Sequence, residues 1–116
     1  MPIFDKADVL VDEAFPGVRR WEIVTGELGA DSLTVVDATL APGADPPLHF
    51  HPTEEAMVVL EGELEAILGD ETVMVTAGNT VLAPPGVKHG FVNRSGSVAR
   101  VMGVFPTGTV ERTVLD

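Results

Sequence analysis

The sequence predicts an all-β fold, on three observations. Twelve glycines and nine prolines cut the 116-residue chain into short pieces, none of which keeps a helical period. The pieces are rich in valine and threonine, whose branched side chains suit an extended backbone. Turn signals separate them at short intervals, the pattern of a sandwich or barrel.

In chain order the predicted strands are VRRWEIVT (18–25), SLTVVDATLA (32–41), EAMVVLEGELEAIL (55–68), ETVMVT (71–76), NTVLAP (79–84), KHGFVN (88–93), VARVMGVF (98–105) and TVERTVL (109–115). The third run is too long for one strand and is broken at Glu61-Gly62. Gly69-Asp70, Ala77-Gly78-Asn79, Pro84-Pro85-Gly86 and Arg94-Ser95-Gly96 supply the other turns, through positive φ at glycine or fixed φ at proline. Residues 1–116 are expected to form one domain. In Ala56-Met57-Val58-Val59-Leu60 neither alternating face is polar, so one side should meet a core and the other a second sheet or subunit. A homodimer is expected on that basis.

Charge and composition exclude several functions. Seven basic against eighteen acidic residues leave a net charge of −11, with no positive footprint for nucleic acid or an anionic membrane surface. Without cysteine there is no disulfide, thiolate ligand or thiol nucleophile. The apolar windows AMVVL and VARVMGVF are too short to span a bilayer, and MPIFDKADVL has no signal-peptide pattern, so a cytoplasmic location is expected.

Two of the three histidines fall in PPLHFHPTEE, Pro46 to Glu55. On a strand, His49 and His51 project from one face, with Phe50 opposite. Two imidazoles on one face can meet one ion at about 2.0–2.2 Å. Pro52-Thr53 turns the chain, so Glu54 or Glu55 can return over the same point. A lone His-x-His is more often an ordinary surface or core pair. The remaining histidine, His89, follows a Pro-Pro-Gly turn in PPGVKHGFVN.

The chain here resembles the cupin superfamily. The first cupin motif is met by Gly43, His49, His51, Glu55 and Gly62, and the second by Gly78, Pro84, Gly86, His89 and Asn93, with every spacing satisfied. The resemblance runs from Gly43 to Asn93. It implies a cupin-type antiparallel β-barrel of jelly-roll form, holding one divalent transition metal (Fe, Mn, Ni, Co, Cu or Zn) through His49, His51, Glu55 and His89. It selects Glu55 over Glu54, which reads as a solvated rim residue. Glycines 43, 62, 78 and 86 read as turn residues, and Asn93 as a partner for backbone groups near the following turn.

Three neutral imidazoles and one carboxylate around a divalent ion carry a net charge of about +1, and an octahedral ion keeps two open positions. By strand parity Met57, Phe91 and Met102 are expected to line a substrate pocket, with Val59, and with Trp21 near its mouth. For each, core packing is an equally good reading. No histidine is left as a free base, and the chain has no tyrosine. Sugar epimerase chemistry of the cupin class is therefore disfavoured. The expected function is a metal-dependent enzyme on a small organic molecule, of dioxygenase or oxidoreductase type, with Glu55 as ligand and catalytic base. This resembles the flavonol-type cupin dioxygenases. The alternatives are a metal-dependent isomerase or decarboxylase, and a non-catalytic small-molecule binding or sensing module. Arg19, Arg20, Lys88, Arg94 and Arg100 read first as surface charge, Arg100 standing out because it interrupts an apolar strand.

Overall fold

A computed structural model describes residues 2–115. Its strands are β1 Val11–Asp12, β2 Val18–Val24, β3 Thr34–Leu40, β4 His49–Phe50, β5 Glu55–Glu61, β6 Glu63–Leu68, β7 Glu71–Thr76, β8 Thr80–Ala83, β9 His89–Val92, β10 Ala99–Phe105 and β11 Thr113–Val114. The only helical pieces among the described residues are single 3-10 turns at Lys6–Asp8 and Gly26–Leu28. The strands form two antiparallel sheets, ordered β1-β2-β3-β10-β5-β8 and β11-β4-β9-β6-β7. The all-β class expected from the sequence is what the chain adopts.

The long apolar run 55–68 becomes two strands in different sheets. Gly62 makes the corner at φ +83, where a Cβ would lie 2.9 Å from the Ala99 backbone, so no other residue fits there without strain. Residues of one parity then point between the sheets. Met57 and Val59 on β5 and Ala99 and Val101 on β10 meet Leu64 and Ala66 on β6 and Val75 on β7 in one buried core. This core is continuous with the candidate site, since Met57 and Val101 belong to both.

Opposite parity points outward. Met102 lies across from Asp37 on β3 and Val58 on β5. The two neighbours of Met102, Val101 and Gly103, line the interior instead. The expected placement of Met102 in the pocket is thus corrected: VARVMGVF is apolar at both parities, and the pairing register decides. Trp21 is corrected likewise. It faces out from β2 beneath the Lys6 ammonium, 4.0 Å from its ring.

Buried polar groups close the frame. Asn93, fully buried, donates from Nδ2 to the Leu40 and Ser97 carbonyls at 2.9 Å each, and its Oδ1 accepts from the Ser95 backbone N–H and hydroxyl. Arg100 forms a two-pronged pair with Asp37 at 2.9 and 2.7 Å, and Lys6 adds a third contact at 3.0 Å. That network explains how Asp37 can be only 2% exposed. Its carboxyl is held below the usual range, first by the Arg100 guanidinium, against a smaller opposing effect of burial.

Candidate metal centre

Prolines delimit the strand that carries two of the histidines. Pro46 and Pro47 precede β4 and Pro52 follows it; lacking N–H groups they cut the ladder short, and β4 is two residues long. His49 sits directly opposite His89 on β9. The Pro84–Gly86 turn before β9 is tied to the same strand end, since Gly86 donates its N–H to the His51 carbonyl at 2.8 Å. Across the interior, β5 begins with Glu55, whose inward parity it shares with Met57 and Val59. Glu54 is exposed and Glu55 buried, the arrangement the cupin spacing implies.

The four side chains meet. One potential ligand atom from each of His49, His51, Glu55 and His89 falls within 4.8 Å of the others. Ligands on opposite sides of an ion at about 2.0–2.2 Å are about 4.4 Å apart, so a small contraction would close the cluster. The rings pack at centroid distances of 4.5 Å (His49–His89), 5.0 Å (His49–His51) and 5.3 Å (His51–His89).

Hydrogen bonds orient each ring. The Nδ1 of His51 meets the Glu111 carbonyl at 2.8 Å, that of His89 the Val87 carbonyl at 3.0 Å, and that of His49 the Pro47 carbonyl at 3.4 Å. A carbonyl only accepts, so each Nδ1 carries the proton and each Nε2 is directed to the common point. His51 Nε2 is buried without a hydrogen-bond partner; its 3.4 Å approach to Glu55 Oε1 is not aligned as one. An unpartnered imidazole nitrogen is costly to bury. A divalent ion would satisfy it, and the donor set of three nitrogens and one carboxylate fits a transition metal.

Charge is shared within the cluster. Burial disfavours charge on Glu55, but its contacts with His51 and His89 outweigh that and hold the carboxyl below its usual range. Burial also acts against a charged His89, yet Glu55 at 2.9 Å and the Val87 carbonyl raise its pKa. Without metal, a proton on His89 Nε2 bridges to Glu55. His49 is pushed down to about 4, first by burial and then by the neighbouring imidazoles, so it stays neutral and ready to ligate.

A cavity of about 100 Å³ adjoins the cluster. Met57 and Phe91 line it, together with Val101 and Phe105. Val59 lies deeper, in the core. Several contributors were not visible in the sequence. Gly103 on β10 leaves the space that the Glu55 carboxylate occupies, since a Cβ there would stand 2.7 Å from Oε2. Phe105 packs edge-on against His51 at 4.9 Å. Arg20 and Arg112 both reach the cavity, although Arg20 reads in sequence as surface charge. Arg112 belongs to no motif, and only the pairing of β11 with β4 brings it here.

The family described as Cupin domain matches residues 36–105. No curated protein sequence matches the chain. Among solved structures, the chain is similar to the polyketide cyclase RemF from Streptomyces resistomycificus, at 27% identity and TM-score 0.82, over 100% of this chain and 87% of that one. It is similar in fold to a double-stranded β-helix protein from Klebsiella pneumoniae (21% identity, TM-score 0.80, 100% and 98% covered). It also resembles in fold an oxalate decarboxylase from Lactobacillus farciminis (20% identity, TM-score 0.87), covering 97% of this chain but only 35% of that protein. The two sheets are thus those of a jelly roll.

Proposed function

We propose that this chain, which belongs to the cupin domain family, is a metal-dependent enzyme acting on a small organic molecule by dioxygenase-type chemistry. The observation that carries the metal requirement is the buried, unpartnered His51 Nε2, aimed at the point shared with His49, Glu55 and His89. A bound divalent transition ion supplies a Lewis acid and, where redox-active, a centre for reaction with dioxygen.

The chain's own residues set the rest. Met57, Phe91, Val101 and Phe105 give the cavity an apolar wall that excludes water from the reacting face. Glu55 remains a carboxylate at neutral pH, so it can accept the proton of a substrate hydroxyl or enol. The carbonyls of Pro47, Val87 and Glu111 fix the three imidazoles in one tautomer. Apart from these ligands and two arginines, no titratable side chain lines the cavity among the described residues. Chemistry that depends on a separate acid–base pair is therefore disfavoured.

A second reading has its own support: the likeness to a polyketide cyclase at 27% identity over the whole chain. In that reading an ion held by His49, His51, Glu55 and His89 would supply a Lewis acid, and Glu55 removes a proton next to a substrate carbonyl, with no oxygen consumed. Oxygen-electrode and product analysis on iron, manganese and nickel forms, with small phenols and 1,3-diketones, separates the two. Substrate-dependent oxygen uptake supports the dioxygenase; turnover without uptake supports the cyclase type. Tight binding with no turnover would leave a binding module.

We also propose a cytoplasmic homodimer. No helix among the described residues is long and apolar enough to cross a membrane. The outer face of the six-stranded sheet carries Ala56, Val58, Leu82, Met102 and Val104 as adjacent apolar side chains, a surface suited to a second copy. Sedimentation of a monomer at micromolar concentration would refute the pairing.

A further inference from the structure

The protein has seven basic residues among eighteen acidic ones. Six of the seven reach a carboxylate within 4.0 Å: Lys6 with Asp37, Arg19 with Glu13, Arg20 with Asp12, Lys88 with Asp70, Arg94 with Glu65 and Arg100 with Asp37. The seventh, Arg112, has no carboxylate partner among the described residues. It is also one of two arginines at the metal-centre cavity. In so acidic a chain, the one cation with no carboxylate within 4.0 Å among the described residues stands beside the proposed reaction site.

Its position is fixed from both sides. The preceding residue, Glu111, gives its carbonyl to His51 Nδ1 at 2.8 Å. The following residues, Thr113 and Val114, pair with Phe50 and His49 on β4, and Leu115 donates its N–H to the Leu48 carbonyl at 2.8 Å. The backbone of Arg112 is therefore tied to the strand that carries two of the four candidate ligands. Its guanidinium carbon lies over the Phe15 ring, 5.2 Å from the centroid, a cation–π contact that uses the ring and none of the N–H donors. Arg20 adds positive potential but is already engaged by Asp12 at 3.2 Å. Partial desolvation of the guanidinium, and then Arg20, lower Arg112 below the usual arginine range, with Asp12 and Glu55 opposing from beyond contact distance, although the residue as a whole is exposed.

From this geometry we infer that Arg112 binds an anionic group of the substrate, and that the substrate is a small carboxylate seated between Arg112 and the metal centre. This deepens the proposed function and rests on it for the identity of the second anchor. A guanidinium offers two parallel N–H donors that match a carboxylate, and although Arg112 is an exposed residue at the rim of the cavity, such a two-pronged, charge-assisted pair is directional. The cavity of about 100 Å³ admits a compact head group.

The test uses 4-fluorobenzoate and its neutral counterpart 4-fluorobenzamide, followed by fluorine NMR and calorimetry on manganese-loaded protein. The ion alone also favours a carboxylate, so the decisive comparison is Arg112→Gln against wild type at equal metal content. The variant should bind the benzoate about 10–100-fold more weakly and the benzamide unchanged. Arg112→Lys should recover part of the loss, and Arg19→Gln, which removes a paired surface arginine, should change nothing. Equal benzoate affinity in Arg112→Gln and wild type, or no benzoate binding by wild type at millimolar concentration, would overturn the inference. Repeating the titration on His49→Ala/His51→Ala protein keeps the two proposals apart. Arg112-dependent binding that survives there, together with wild-type protein that takes up no metal, would sink the metal-dependent function and leave the anion site standing.

Discussion

Gly103→Ala tests the metal centre without replacing a ligand. Gly103 lies mid-strand on β10, paired to Val36 on one side and Met57 on the other, so its backbone has no freedom to retreat. An added Cβ would stand 2.7 Å from Glu55 Oε2, where ordinary contact begins at 3.4 Å. The carboxylate must therefore shift by about 0.7 Å, while metal–ligand distances tolerate about 0.2 Å. Glu55 cannot swing clear cheaply, since Oε1 is held by His89 at 2.9 Å. Supporting-residue changes of this kind weaken metal binding about 10–100-fold, or about 1.4–2.8 kcal/mol. Folding should respond differently, because glycine in a strand is worse than alanine by about 0.5–1 kcal/mol. The assay is metal affinity by competition with a chelator, beside urea unfolding of the metal-free protein. Weakened affinity with metal-free stability within about 1 kcal/mol of wild type is expected. Unchanged affinity would refute the placement of Glu55 as a ligand, and an equal loss in both assays would point to general damage.

Three further outcomes follow from the same geometry. Arg100→Leu strips Asp37 of its two-pronged partner and leaves only Lys6; it should cost about 2–3 kcal/mol at neutral pH, less than a fully buried pair because the guanidinium is partly exposed. Asp37 titrates below 3.8 in the folded state, so this contribution is present above that ordinary value and is lost as pH falls through the depressed one; urea unfolding should show wild type and variant converging in acid. Asn93→Ala leaves the Leu40 and Ser97 carbonyls without their donor and should cost about 2–4 kcal/mol in urea unfolding, with unchanged metal stoichiometry. Metal binding should strengthen as pH rises through the His89 value, which lies above 6.5, because the ion replaces that proton; over the same range the metal-free protein loses its His89–Glu55 contribution, so the metal-induced gain in Tm should increase with pH. His49, with its value near 4, should add no proton to that dependence above about pH 5.

The strands were legible where glycine and proline bounded a β-branched run. Residues 71–76 are a strand as expected, and 55–68 break at Gly62 into two. The two-residue edge strands β1 and β11 carry too little pattern to stand out, and 109–115 read as one strand where only Thr113–Val114 pair. The convergence of His49, His51, Glu55 and His89 was legible because two spaced motifs carry all four. The walls were harder. In β10 both parities are apolar, so only pairing with β3 and β5 shows that Val101 and Gly103 face in and Met102 out. Arg112 and the Glu111 carbonyl reach the site through pairing over some sixty residues of sequence, which no local pattern encodes.

The central claim is that one divalent ion is held by His49, His51, Glu55 and His89, and anomalous diffraction from crystals of metal-loaded protein tests it most directly. A single peak per chain is expected, about 2.0–2.2 Å from the three Nε2 atoms and a Glu55 oxygen, with His51 Nε2 no longer without a partner. A peak on other residues, or none at full loading, would contradict it.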